Sequence, residues 1–312
     1  MTIKMMLLGA YFMLLVGCAN TNSTYPEVKT DVKDLRATVQ FLTEIHPPRN
    51  HENIASMEKA AGFIRQKLES YGIKTEEQKF QVSGKTYKNI IGTVGADKKS
   101  RIIVGAHYDV CDEQPGADDN ASAVAGLIEV ARFAKEHETE LPYRVDFVTY
   151  ALEEPPNFGT ENMGSYVHAK SLHDNNVDVK AMICLEMIGF FSDKENSQEY
   201  PLGIMKLFYP SKGNFIAVVG NFGSSHLVKH MATHMKATTI KVSTLKAPSW
   251  VQGVNFSDHR NYWEFGYSAV MISDMAFYRN QNYHKKTDTI DTLDFERMKE
   301  VVKGVCWALI NK

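Results

Sequence analysis

Arg101-Ile-Ile-Val-Gly-Ala-His-Tyr-Asp109 is the stretch on which the fold turns. Arg101 to Ala106 is a short apolar run, consistent with a central strand buried on both faces. A histidine and an acid stand at its end. Working outward, the apolar period switches repeatedly between the helical and the extended. Upstream, Leu35, Val39, Leu42 and Ile45 recur at helical spacing and stop at Pro47-Pro48. Ile54 to Tyr71 places Ala60, Phe63, Ile64 and Leu68 on one helical face and closes at Gly72. Thr75–Val82 and Thr86–Val94 alternate like strands around a Ser83-Gly84 turn. Downstream, helical patterns cover 121–133, 164–172, 224–235 and 294–309. Strand patterns cover 143–152, 180–188, 215–219 and 269–273. Strands alternating with helices predict an α/β fold with helices on both faces of the sheet. In such sheets the ligand crevice lies beyond the carboxyl ends of the strands. Residues 190–213 follow neither period and read as an insertion, a lid over that crevice.

The chain has 312 residues, 44% hydrophobic and 23% charged, an ordinary globular balance able to bury a large core. Lys+Arg is 35 against Asp+Glu 37, a net charge of -2, so no basic excess points to nucleic acid. The start reads differently. After Lys4, an uncharged apolar run extends from Met5 to Gly17 and ends at Cys18. It is shorter than the roughly 20 residues of a spanning helix and reads as a signal-peptide core. Residues 1–17 therefore stand outside the fold, 18–29 form a polar tether, and 30–312 form one domain. Leu15-Val16-Gly17-Cys18 resembles a bacterial lipoprotein signal. That implies cleavage before Cys18 and a lipid on its sulfur, with membrane contact through the anchor only and a place in the cell envelope. Ala19 is not the aspartate associated with inner-membrane retention, which favours the outer membrane. An ordinary secretory signal is the other reading. Of the remaining cysteines, Cys111, Cys184 and Cys306, an odd number cannot all pair.

Five short motifs carry chemistry, and each has a plainer reading beside it. His107 needs an acceptor on its second ring nitrogen if it is to bind metal, and Asp109, two residues on, points the same way along an extended chain. Asp118-Asp119-Asn120 precedes a helix, where an acid can bridge cations or cap the helix. Glu153 and Glu154 point to opposite sides of a strand end, so one could ligate metal while the other faces water. Glu186 lies in an apolar run, where a carboxylate needs a partner, either an ion pair or a metal. His284 stands in a loop after the last strand. Together, two histidines and several carboxylates at separate strand ends match the donors of a divalent ion such as zinc, which needs no thiolate. With a spare glutamate as base, this is the inventory for metal-assisted hydrolysis. There is no Gly-x-Ser-x-Gly elbow, phosphate loop or His-Glu-x-x-His helix. Cys111 beside His107 lacks an obvious activating arrangement for a Cys–His nucleophile.

In order along the chain, Ala106-His-Tyr-Asp109, Pro115-Gly-Ala-Asp-Asp-Asn-Ala-Ser122, Glu153-Glu154 with Gly164-Ser165, Ser257-Asp-His259, and Tyr283-His284 with Asp288 resemble metallopeptidase family 28 over about residues 85–300. This is the co-catalytic zinc aminopeptidase family, related to bacterial leucyl aminopeptidases. The resemblance implies a phosphorylase/hydrolase-like, zinc exopeptidase-type α/β/α sandwich of three layers on one mixed, mostly parallel sheet. It implies two Zn2+ ions bridged by Asp119, one completed by His107 and Glu186, the other by Glu154 and His284. Glu153 would be the general base, Asp109 would orient His107, and the Asp119–Asn120 peptide would be cis. Ser257, Asp258 and His259 would support the site. Glu186 departs from the aspartate usual in the family, and Pro155-Pro156-Asn157-Phe158 from its usual Gln/Gly-rich continuation. The implied activity is an aminopeptidase acting on peptides with a free N-terminus, with Phe190, Phe191, Phe277 and Tyr278 lining an apolar pocket or packing in the core. A glutaminyl cyclase using one zinc, a carboxypeptidase, and a non-catalytic binding protein on the same fold are the alternatives.

Overall fold

The Arg101–His107 run forms strand β3 in the computed structural model, which describes residues 25–311. The proposed signal peptide and Cys18 lie outside the described residues. The chain runs α1 (Val32–Thr43), α2 (Ile54–Ser70), β1 (Lys74–Val82), β2 (Lys85–Val94), β3, α3 (Ala123–Glu136), β4 (Arg144–Tyr150), α4 (Gly164–Asp174), β5 (Val179–Glu186), β6 (Phe215–Gly220), α5 (Ser225–Met235), β7 (Lys241–Lys246), α6 (His259–Glu264), β8 (Ala269–Ser273) and α7 (Phe295–Ile310). One sheet takes the order β1-β2-β4-β3-β5-β8-β6-β7. β3 pairs parallel with β4 and β5, β5 with β8, and β6 with β7. The β1–β2, β2–β4 and β6–β8 pairs are antiparallel. The sheet is therefore mixed and mostly parallel, as expected.

Alternation along the central strands divides the interior in two. On β3, Ile102, Val104 and Ala106 pack with α1, α2, α3, α5 and α7, while Ile103 faces the layer of α4 and α6. On β5, Ala181, Ile183 and Leu185 face the first layer, and Met182 and Cys184 the second. The period of two thus builds a three-layer α/β/α sandwich whose central strands are apolar on both sides. Among the described residues Cys111, Cys184 and Cys306 are free and buried, and no helix is long and apolar enough to cross a membrane.

Two elements carry little sequence signal. β7 is an edge strand, exposed or half-buried throughout, so its Lys-Val-Ser-Thr-Leu-Lys needs no apolar alternation. α6 has six residues, too short for a helical period to show. Residues 190–213 form a long connection from β5 to β6, with one turn of 3-10 helix at Gly203–Leu207.

Candidate metal centre

The parallel strands end on one side of the sheet, and their continuations carry the acids and histidines there. His107 is the last residue of β3 and Glu186 the last of β5. Glu153 and Glu154 follow β4 after Leu152, whose φ of 65° turns the chain out of the sheet. Met187, just past Glu186, has φ 46°, and His284 has φ 55°. Such left-handed conformations cost energy outside glycine, and here they accompany three segments of one site.

Asp118 and Asp119 lie in a wide irregular turn, residues 117–122, ahead of α3. Neither caps the helix. Asp119 has φ -103° and ψ 89°, outside helical values, and the Asp119–Asn120 peptide is cis. Gly116 makes the approach feasible, because a Cβ there would meet the Asp119 carbonyl oxygen at 2.3 Å.

These residues converge. His107 Nε2 lies 3.4 Å from Asp119 Oδ1, 3.5 Å from Glu186 Oε2 and 3.8 Å from Glu153 Oε2. His284 Nε2 lies 3.2 Å from both Asp119 Oδ2 and Glu154 Oε2. The two oxygens of Asp119 therefore face two different sets of donors. His107 Nε2, His284 Nε2, Asp119 Oδ2 and Glu154 Oε1 are buried without a hydrogen-bond partner. Buried polar atoms rarely go unpaired. Tetrahedral zinc with bonds of about 2.0–2.2 Å has ligand-to-ligand edges of about 3.3–3.6 Å. The closest contacts on both sides of Asp119 fall at or near that spacing, so the donor set fits divalent metal on each side.

The electrostatics point the same way. Burial, with Glu186 and Glu154 beside it, pushes Glu153 well above the usual carboxylate range. Burial and the Asp119 charge raise Glu154 to about 8, and burial raises Glu186. Asp119 goes the other way: burial would raise it, but the two imidazoles hold it below the ordinary range. His284 rises to about 10 although burial opposes it, because Asp119 and Glu154 favour the imidazolium. Four carboxylates thus share two imidazoles, and the deficit of positive charge is what a cation would supply.

Around this cluster the supporting contacts are specific. Asp109 accepts hydrogen bonds from the main-chain N–H of Glu153 and of Glu154, each at 3.1 Å. Its carboxylate stands 3.5 Å from His107 Nδ1, which lies nearer the Asp109 main-chain oxygen, at 3.3 Å. Asp109 thus ties the β4 end to the His107 segment. Ser257 donates to Glu186 Oε2 at 2.7 Å. Asn120 spans to β5, donating to the Leu185 carbonyl and accepting from Met187 N–H.

Sequence reading misses Arg49. Its guanidinium is buried and donates to the carbonyl oxygens of Tyr108, Leu42, Pro115 and Gly116 at 2.6–3.0 Å. It clamps the 108–116 segment that joins the His107 and Asp119 motifs. Its own stretch of sequence does not announce the role, because three of its acceptors are main-chain carbonyls 59 to 67 residues away.

Beside the acids opens a narrow apolar pocket lined by Val219, Leu245, Phe256, Met271, Phe277, Tyr278 and Tyr283. Glu186 and Tyr283 line both this pocket and the acidic cleft. Phe277 and Tyr278 therefore line this pocket. Phe190 and Phe191 do not line it: Phe191 lies under the guanidinium groups of Arg279 and Arg297, at 5.7 and 5.8 Å, a favourable cation–ring contact.

Comparison with known proteins agrees with this geometry. The uncharacterized protein YfbL of Escherichia coli (strain K12) is 41% identical over 288 residues, covering 89% of this chain and 88% of that protein. Leucine aminopeptidase 1 of Ajellomyces capsulatus (strain H88) is 25% identical over 227 residues, 69% of this chain, which spans about half of that protein's length (53%). The crystal structure of Bacteroides thetaiotaomicron glutaminyl cyclase bound to N-acetylhistamine superposes with a TM-score of 0.67 at 19% identity, over 92% of this chain and 99% of that one, which establishes the shared fold. The profile of Peptidase family M28 matches residues 89–308, from within β2 into α7, and so spans every strand end that contributes to the cluster. The chain belongs to peptidase family M28.

Proposed function

We propose that this chain is a zinc-dependent aminopeptidase that removes N-terminal residues from peptides. The observation that carries the reading is Asp119, whose two oxygens face His107 and His284 on opposite sides. That arrangement suits a pair of ions better than the single zinc of a cyclase. His107 and Glu186 would hold one, Glu154 and His284 the other, with Asp119 shared. When bound, zinc supplies a Lewis acid and a nucleophilic water at neutral pH.

The chain's own residues do the rest. The carboxylates at the mouth of the apolar pocket attract a free α-ammonium group, and the adjoining pocket takes the first side chain. Glu153 is the proposed base. It accepts the proton of the attacking water on its carboxylate and passes it to the nitrogen of the departing amine. Its main-chain N–H is held by Asp109, which fixes where that proton is received. A lipid anchor at Cys18, placing the enzyme in the cell envelope, belongs to the same proposal and rests on the N-terminal sequence. Membrane fractionation of Cys18→Ser against the wild type tests it.

The catalytic reading is tested by incubating the protein and zinc with peptides bearing free, acetylated or glutaminyl N-termini and weighing the products. Stepwise shortening of free peptides only, abolished by chelation, is the expected result. Loss of ammonia from glutaminyl peptides without shortening would replace it with a cyclase. Unchanged peptides, with Glu153→Gln behaving like wild type in every assay, would indicate a binding protein.

A further inference from the structure

Cys111 has no place in the scheme above, and its position argues for one. Its Sγ, a Glu154 carboxylate oxygen and a His284 ring nitrogen all lie within 4.8 Å of one another. The thiol is buried, as is Glu154, whose Oε1 has no hydrogen-bond partner; nor does His284 Nε2. The sulfur therefore lies within ligand reach of two residues that each carry an unpaired buried polar atom. The segment bearing it is pinned on both sides. Arg49 accepts from Val110 N–H through its main-chain oxygen and clamps the carbonyls of Tyr108 and Pro115, while Asn50 donates to the Asp112 carbonyl.

We propose that Cys111 supplies a thiolate to the metal on the Glu154/His284 side. The inference rests on the metal reading of Asp119, Glu154 and His284. Zinc bonds sulfur at about 2.3 Å and nitrogen or oxygen at about 2.0–2.2 Å, which gives tetrahedral sulfur-to-donor edges of about 3.6 Å. Ligation breaks the S–H bond, forms the metal–sulfur bond and releases the proton to solvent. Without a cation, burial and the Glu154 charge push the thiol up to about 12, so it is protonated and no nucleophile. A coordinated cation reverses that preference. With Cys111 the ligand atoms gathered on this side are the sulfur, Glu154 and His284, while Asp119 is shared with His107. The soft ligand also favours zinc, cadmium and cobalt over manganese and magnesium on the Cys111 side.

The test uses the purified full chain in detergent, stripped and reloaded with cobalt(II) to two equivalents. A near-ultraviolet thiolate-to-cobalt charge-transfer band is expected in the wild type. Cys111→Ser and Cys111→Ala should lack it while retaining the visible cobalt bands of the other side. Zinc affinity on the Cys111 side should weaken by at least the roughly 10–100-fold that loss of an outer partner costs. Two cobalt ions bound by the wild type without that band overturn the thiolate and leave the metal reading standing. A band that survives in Cys111→Ala also overturns it. If the wild type binds no cobalt, the metal reading falls and takes this inference with it. Should both variants fail to fold, a cobalt-loaded wild type without the band overturns the thiolate, and a band that disappears when Cys111 alone is alkylated upholds it.

Discussion

Asp118 and Asp119 are consecutive and equally buried, yet the fold uses them in opposite ways. Asp118 is saturated by protein donors: Gly189 N–H reaches Oδ1 at 2.9 Å and Asn280 Nδ2 reaches Oδ2 at 2.8 Å. Its neighbours Asp274 and Asp288 are treated alike. Asp274 accepts from the N–H groups of Phe190 and Ala276, and Asp288 from those of Asp118 and Asp119. Asp119 instead faces two imidazoles, and its Oδ2 accepts nothing. A buried carboxylate given main-chain donors is a structural joint. One left without them, among unpaired nitrogens, is a place kept for a cation. Asp119 leaves helical φ/ψ, and its side chain departs from the direction Asp118 takes toward Gly189 and Asn280.

The comparison can be broken most directly at Asp119. Asp119→Ala should abolish peptide hydrolysis and remove bound zinc, read by elemental analysis of the gel-filtered protein. Glu153→Gln should lower kcat by about 10²–10⁴-fold with zinc content unchanged. Parallel loss of metal in both variants would show that Glu153 is a ligand rather than a base.

Asp118→Ala should act on stability instead. It leaves the Gly189 N–H and Asn280 amide unpaired, at about 1–3 kcal/mol for each buried donor. Urea denaturation of the metal-free protein measures this. In the same metal-free protein Asp119→Ala removes no hydrogen bond to Oδ2 but takes away the counter-charge of two imidazoles, so its cost should shrink as rising pH deprotonates the histidines, while that of Asp118→Ala should not. Equal pH dependence of the two losses would erase the distinction between the two aspartates.

Arg49→Lys tests what holds them in a common frame. A lysine cannot reproduce a fork that reaches four carbonyls, and a lost hydrogen bond to a charged group is worth about 1.5–3 kcal/mol. Stability and zinc affinity should fall together, since Arg49 grips the segment between His107 and Asp119. A change in one alone would place its effect on a single side.

The smallest effect is a pH dependence of the metal-free protein. Glu154 stands at about 8 when folded against an ordinary value of 4.5, and Asp258 and Asp288 are both raised to about 7, chiefly by burial. Between the two values the folded chain holds protons that the unfolded chain has released, so raising the pH destabilises it. His168 and His259, lowered to about 4 by burial, work in the opposite sense, but mainly below pH 6.5, where an unfolded histidine takes up its proton. From pH 6.5 to 8 the Tm of the metal-free protein should therefore fall by a few degrees, and that of the zinc-loaded protein by less. A flat profile without metal would mean that the acids are not short of positive charge.

Much of this was readable along the chain, for physical reasons. The Arg101–His107 run announces a strand apolar on both faces because a central parallel strand has no solvent side. Helical spacing in α1 and α2 survives because each buries one stripe, whereas α3 is buried almost all round. The acids and histidines were legible because strand ends in an α/β sheet must open at one edge. Edge strand β7 and the short α6 were not, since neither is required to bury a period.

Local sequence determined which residue types stand at the ends of β3, β4 and β5, and therefore that a polar site would form there. Tertiary structure alone decided which acids stay open. By residue type Asp118 and Asp119 are identical and only the family resemblance distinguishes them, until Gly189 and Asn280 arrive from other segments to satisfy one and not the other. The same holds for Arg49, whose acceptors are carbonyls supplied by the folded chain, and for Phe191, which a pair of distant arginines draws away from the pocket. Hydrogen-bond satisfaction is a property of assembled neighbours, and no single stretch of chain contains it.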